Sequence, residues 1–412
     1  MDVLKDSEAW WRDPDLDPDF GLEKGYFFPE PITPIVPRNI RAVVLSPDQS
    51  LNLASTSEDG KYQFSRANAN GFPLAGFQPT SAGFESEGTS SPTRLLLQRD
   101  GKIIMIGTFT PESNDSRLRV AHPAITRFNA NGTPDLVFER QVLRHPPEDA
   151  TASPFPRKMA DGCLQTDGKI LIANVYQLAP ANSSNYASKL TRLNSDGSRD
   201  STFGNGGSID VVFDGKPTNA DHVQVQRDGK IIVAGLMISN GQHQLTLARY
   251  TTDGSPDLSF GNDGYAQYAV PEKNTLINQL VVHQDKLICA GSITGSQSAA
   301  LLMRFDADGQ IDPAFNDGMP VLTRDGYDNL QWACMSVQSS GRIVLAGTAQ
   351  TRDGKESIVK RFLEDGRPDL GFTSAPKPIS YSDIAIQTSG RLVLTAVNRS
   401  SYALAVGLRG QS

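Results

Sequence analysis

The sequence predicts an all-β fold, a seven-bladed β-propeller of four-stranded antiparallel blades. Three observations carry that expectation. A two-part unit recurs in order along most of the 412 residues. Its strand-like runs are short, apolar and bounded by Gly, which suits sheets covered on both faces. The last copy lacks a closing piece that the N-terminal segment carries in excess.

The unit is clearest from Val225 to Gly264. VQRDGKIIVAG reads as strand, tight turn, strand, and LARYTTDGSPDLSFGNDG as strand, Asp-Gly turn and an Asp-x-x-Phe close. Asp-Gly is a two-residue hairpin signal, because Gly, and Asp at lower cost, tolerates the positive φ of a type I′ turn. Such a unit cannot bury its apolar surface alone and must stack on its neighbours.

In chain order, residues 1–12 read as an acidic tail and 13–412 as one propeller domain. Asp17-Pro-Asp-Phe20-Gly21 matches Asp200-Ser-Thr-Phe203-Gly204, and Asp13 falls where Asp196 falls, so the chain begins inside a unit. The first full unit is degenerate, with Asp48-Gln49 at its first turn and Phe77 at its close. Units two to six close at Phe138, Phe203, Phe260, Phe315 and Phe372. The seventh has Ser389-Gly390 and a last strand from Tyr402 to Leu408, then no Asp-x-x-Phe. Turn-to-turn spacings of 52, 67, 61, 57, 55 and 49 residues each fit four strands with loops. A ring of such sheets, closed by pairing the two chain ends, is a propeller.

Asp-Gly-Lys-Ile followed by Arg-aromatic-x-x-Asp-Gly-Ser-x-Asp-x-x-Phe-Gly resembles the bacterial delta-60 repeat, a β-propeller repeat. The resemblance covers roughly residues 13 to 409 and weakens in the first and seventh units. It implies the fold and no general catalytic motif.

A net charge of −7 argues against unspecific nucleic-acid binding and against docking on anionic lipid. No run approaches a membrane span. The N-terminus lacks an apolar h-region, so a cytoplasmic location is expected. Three cysteines form no disulfide framework, and Cys289, in LICAG, reads as a small hydrophobe.

Chemistry-bearing patterns are sparse. Asp306-Ala-Asp308-Gly-Gln-Ile-Asp312 has carboxylates at alternate positions, as a Ca²⁺ loop does. Its first position becomes Thr251 and Leu363 in other units, which favours Asx turns, so no metal and no cofactor is expected. Arg127, Arg192, Arg249, Arg304 and Arg361 each precede an Asp by eight residues, an arrangement that reads as a bidentate clamp. The closing Phe residues read as wedges between blades. No nucleophile elbow or zinc spacing occurs, and no catalytic residue is assigned. Asp221-His222 is adjacent in sequence and would make an acid–base pair at a pore mouth only from a loop, since strand neighbours point to opposite faces.

The hairpin turns on one side are uniform, and the variation falls on the other. Gly107 to Arg127 spans 20 residues and Asn174 to Arg192 spans 18, against 13 or 14 in later units. The link from Phe138 to Gln165 takes 27, against 23. These expansions carry Arg117, Arg119 and His122, then Arg144 and His145, then Tyr176, Asn182 and Tyr186. Together with Asp221 and His222 they are the candidate ligand-binding residues, since loops on a rigid scaffold are where binding resides. The expected function is a non-enzymatic, monomeric binding propeller that recognises a protein or glycan through this face. The alternative is a lyase or hydrolase with its site at the channel mouth.

Overall fold

The computed structural model describes residues 15–21, 25–27, 29, 37–115, 119–144, 146–152, 160–179, 185–216, 218–239, 241–351, 354–372, 374–398 and 403–410. The tail at 1–12 and Asp13 lie outside them. Seven antiparallel sheets form a ring. The first strand of each sheet touches the first strands of both neighbours, so these strands form the inner wall.

Blade four shows the pattern. Its strands, from the channel outwards, are Thr218–Val225, Ile231–Ser239, Gln242–Tyr250 and Tyr265–Tyr268. Val225 pairs with Ile231 across the Asp228-Gly229 turn, where Gly229 has φ +87°. Blade seven is composite. Ile379–Ile386, Leu392–Asn398 and Ala403–Leu408 are joined by Tyr26–Phe27, with Tyr26 opposite Val406 and Phe27 opposite Ala405. The ring therefore closes as the split motif predicts.

Two blades depart from the expected four strands. Blade six has three, with the fourth reduced to a bridge between Ser357 and Lys377. Blade three gains a pair, because Ala150–Thr151 from the enlarged link hydrogen-bonds to Gln177–Leu178. Two of the predicted expansions thus meet in one extra ladder.

Seven apolar layers make up the core, each lying between two adjacent blades. Between blades four and five, for example, Ile232, Leu247 and Phe260 meet Leu280, Cys289 and Phe305. Both faces of every sheet are covered, which is why the second strands read as unbroken apolar runs. Cys289 is fully buried in this layer and burial pushes its thiol pKa up, as suits a packing residue.

Candidate functional site

The hairpin-turn face carries the repeated Arg–Asp–Phe set. Nε of Arg127, Arg192, Arg249, Arg304 and Arg361 donates to Oδ2 of Asp135, Asp200, Asp257, Asp312 and Asp369 at 2.7–2.9 Å. The contact is single, not the bidentate fork expected from the spacing. Nη1 turns away to a backbone carbonyl of the next blade: Ser195 at 2.7 Å for Arg127, Ala307 at 2.8 Å for Arg249 and Glu364 at 2.6 Å for Arg304. Arg192 reaches Thr252 in the same way. Each guanidinium lies 4.4–4.9 Å over the closing Phe. The clamp therefore staples blade to blade.

Each clamp carboxylate is saturated. Asp135 also takes Lys102 Nζ at 2.9 Å and the Val137 N–H at 3.1 Å. Burial alone would raise its pKa, but the hydrogen bonds from Lys102 and Arg127 outweigh that and hold it down to about 2. Asp200 and Asp257 are likewise held well below the usual carboxylate range. With their acids engaged, these arginines form structural pairs. The turn carboxylates are engaged as well: Asp306 Oδ1 accepts the N–H of Asp308 at 3.0 Å and of Gln310 at 2.9 Å, an Asx turn. Among the described residues no group of three or more metal-ligating side chains converges.

The inner wall carries a second polar system. Among the described residues six first strands contain a β-bulge, whose extra residues include Arg41, Thr93, Asp221, Asn278, Ala333 and Ser382. Opposite these bulges stand Gly107, Gly235, Gly291 and Gly347 of the second strands. A Cβ there would sit 2.0–2.5 Å from the carbonyl oxygens of Ser91, Asn219, Leu276 and Gln331. These glycines, expected to bound the strands, lie inside them; the strand of Gly235 runs on to Ser239. They are small because the bulged backbone presses on them.

The bulge also changes the reading of Asp221-His222. The ladder slips between Ala220 and His222, so Asp221 has no opposite residue in the ladder and its side chain is re-aimed. Its Oδ1 then lies 3.4 Å from His222 Nε2 within a strand, so no loop is needed. His222 Nδ1 lies 3.7 Å from Asp161 Oδ2 of blade three, and Asp161 Oδ1 lies 3.8 Å from Arg94 Nε of blade two. Burial disfavours the Arg94 charge, but Asp161 and Asp383 more than offset this and raise its pKa. Asp161 and His222 are each 4% exposed, so their contacts link blades and present nothing to the channel; Asp221 is the open member. Arg94, Asp161 and Asp383 were missed from sequence because each blade contributes a different residue type.

The loop-face candidates distribute unevenly. Arg117, His145 and Asn182 lie outside the described residues. His122, Tyr176 and Tyr186 belong to strands rather than loops and are buried. Arg144 binds Glu85 through both nitrogens, Nη2 to Oε2 at 2.6 Å, and lies 5.9 Å over Phe109. Arg119 Nε donates to the Ser113 carbonyl of its own loop at 2.5 Å. Nearby, a cleft of about 700 Å³ runs along the two outer strands of blade three. Pro146 and Pro147 of the enlarged link line it together with Ser188, Lys189, Arg199, Asn205, Asp210, Lys216 and Thr218.

A family model described as a domain of unknown function (DUF5122) β-propeller matches residues 98–138, 165–203, 226–260, 285–315 and 338–372. The chain carries DUF5122 β-propeller repeats. Each matched segment runs from the first hairpin turn to the closing Phe, so the DUF5122 repeats contain the whole Arg–Asp–Phe clamp. The bulge residues lie outside all five segments. No curated protein matches the sequence. Among solved structures, Drosophila Semaphorin 1a extracellular domains 1–2 is 11% identical with a TM-score of 0.50, covering 92% of this chain and 88% of that one. A puromycin hydrolase is 16% identical with a TM-score of 0.48, covering 91% and 54%. A glucose dehydrogenase is 11% identical with a TM-score of 0.45, covering 94% and 99%. The likeness is one of fold.

Proposed function

We propose that this chain is a non-enzymatic binding propeller of the bacterial delta-60 type, which recognises a protein or glycan beside blades two and three. The cleft along blade three carries this reading. Its volume of about 700 Å³ falls in the range of ligand sites, and the enlarged link that makes it is absent from the later blades. The Ser208 hydroxyl, the Asn205 amide and charges of both signs offer hydrogen bonds, while Pro146 and Pro147 offer apolar area. That mixture suits a polar chain or a glycan. The acidic net charge argues against nucleic acid as the partner.

Lys216→Glu with Arg199→Glu reverses the charge of two residues that line the cleft. The pair is expected to abolish capture of partners on glycan arrays and in native pull-downs. Lys355→Glu, an exposed change in blade six, is the control and is expected to change nothing. Unchanged capture by the double variant would overturn the reading.

A further inference from the structure

Arg41 is the extra residue of the blade-one bulge, in the middle of the strand Pro37–Leu45. That strand pairs on its outer edge with Leu51–Ser57 and is flanked by the first strands of blades two and seven. Arg41 is nevertheless exposed. A mid-strand side chain so enclosed meets solvent only in the channel.

No carboxylate pairs with Arg41 among the described residues. Its strand neighbour Arg38 is held by Glu58 at 3.0 Å. Asp383, the nearest acid by position on the adjoining inner strand, turns its Oδ2 to the Val43 N–H at 3.0 Å and its Oδ1 to the Ile384 N–H at 3.0 Å. Burial lowers the Arg41 pKa and no acid offsets it. An exposed guanidinium with no counter-charge beside it leaves its planar fork open to an anion. Four other bulge residues add polar groups at the equivalent register position: the hydroxyls of Thr93 and Ser382, which make only long contacts to the Ile106 carbonyl at 3.3 Å and Asn39 Oδ1 at 3.4 Å, the Asn278 amide, whose Nδ2 donates to the Trp332 carbonyl at 2.8 Å, and the Asp221 carboxylate. Three residues further along the inner strands, toward the hairpin-turn face, half-buried Val44, Leu96 and Val281 add apolar surface beside the polar Gln224 and Ser336.

We propose that the channel binds a small carboxylate bearing hydroxyl or amino groups, its carboxylate held by the Arg41 fork and its polar substituents by the remaining bulge residues, Asp221 among them. Planar guanidinium matches carboxylate geometry, and an acid on the opposing wall accepts from a hydroxyl or ammonium group. The site shares no residue with the blade-three cleft and stands whether or not that cleft binds a partner.

The test is calorimetric titration of the full chain with a panel of hydroxy, sugar and amino acids at constant ionic strength, each beside its neutral amide. At least one acid is expected to bind while its amide does not. Arg41→Lys is expected to weaken binding roughly tenfold, since an ammonium loses the fork, and Arg41→Ala to abolish it. Arg38→Ala should bind as the unaltered chain does. Circular dichroism checks folding, and if Arg41→Ala fails to fold, Arg41→Gln replaces it. Binding that survives in a folded Arg41→Ala or Arg41→Gln variant would overturn the proposal. So would a panel in which no acid binds, or equal binding of inorganic phosphate, which would make the site a general anion trap.

Discussion

Blade four and blade seven build the same clamp from different parts of the chain. In blade four, Arg249 of the third strand donates to Asp257 at 2.8 Å and to the Ala307 carbonyl at 2.8 Å, over Phe260, while Lys230 reaches Asp257 at 2.9 Å. In blade seven the register puts Gly407 where Arg249 stands, since Leu408 pairs with Leu392 as Tyr250 pairs with Ile231. A Cβ on Gly407 would lie 2.5 Å from the Phe20 ring, so the missing side chain is what admits the N-terminal wedge. Asp17 then replaces Asp257, and Arg391 comes from the first-turn position that Lys230 holds. Arg391 donates to Asp17 at 2.5 Å and to the Ala69 carbonyl at 3.0 Å, and lies 5.5 Å over Phe20. One arginine does the work of two cations. Even the backbone staple is kept: Gly261 N–H donates to Asp308 and Gly21 N–H to Asn70, both at 2.7 Å. Six of the seven blade boundaries thus combine a cation, an acid and an aromatic ring, whichever strand supplies them; in blade one Leu74 stands at the acid's position, and Arg66 keeps the Ala130 carbonyl at 3.1 Å and the Phe77 ring at 5.9 Å.

Removing residues 1–30 breaks the comparison most severely. It takes away Asp17, Phe20 and the Tyr26–Phe27 strand, and leaves Ala403–Leu408 as an open edge. The expected result is aggregation or loss of cooperative melting by differential scanning calorimetry. A truncated chain that melts like the full one would show that the ring does not depend on this closure.

A smaller effect separates the two clamps. Asp257→Ala removes the acid that Arg249 and Lys230 share, leaving Arg249 only the exposed Asp308 at 3.2 Å and Lys230 only Asp228 at 3.9 Å, and the loss from such a broken buried pair is roughly 3–5 kcal/mol. Asp17→Ala strands only Arg391 and is expected to lose less. Urea denaturation of the two variants measures the difference. Equal losses would mean that Lys230 contributes nothing.

Acid gives the mildest separation. The Asp135 carboxyl titrates at about 2 in the folded chain, against about 3.9 unfolded. A depressed carboxyl stabilises the native state fully above the unfolded value, and this contribution drains away as pH falls through the folded one. Stability should therefore decline between about pH 4 and pH 2, and Asp135→Asn should flatten that part of the curve. A variant whose acid profile overlays that of the unaltered chain would remove Asp135 from the account.

The loop face behaves differently from the turn face, and the sequence foreshadowed only one of them well. Arg–Asp–Phe spacing marked the clamp because five blades repeat it, although only the coordinates show Nη1 crossing to the next blade. Tyr176 and Tyr186 looked like loop residues by spacing alone. The extra ladder at Ala150–Thr151 draws the chain into longer strands and buries both rings. Four of the bulges left a legible signal, the glycine inside the second strands of blades two, four, five and six. At Gly235 it records the Asn219 carbonyl 2.1 Å from where a Cβ would stand.

By itself the sequence determined the blade number, the β class and the closure of the ring. Those follow from local signals: a period, positive-φ turns such as that at Gly229, and a split closing motif. The tertiary structure alone decided which side chains share a site. Arg41, Asp221 and Asn278 are separated by well over a hundred residues along the chain between first and last, and each belongs to a different blade. Their common level is set by the register of inner strands against second strands, and by the slip that each bulge introduces. Register is a property of paired strands, so no single stretch of sequence contains it.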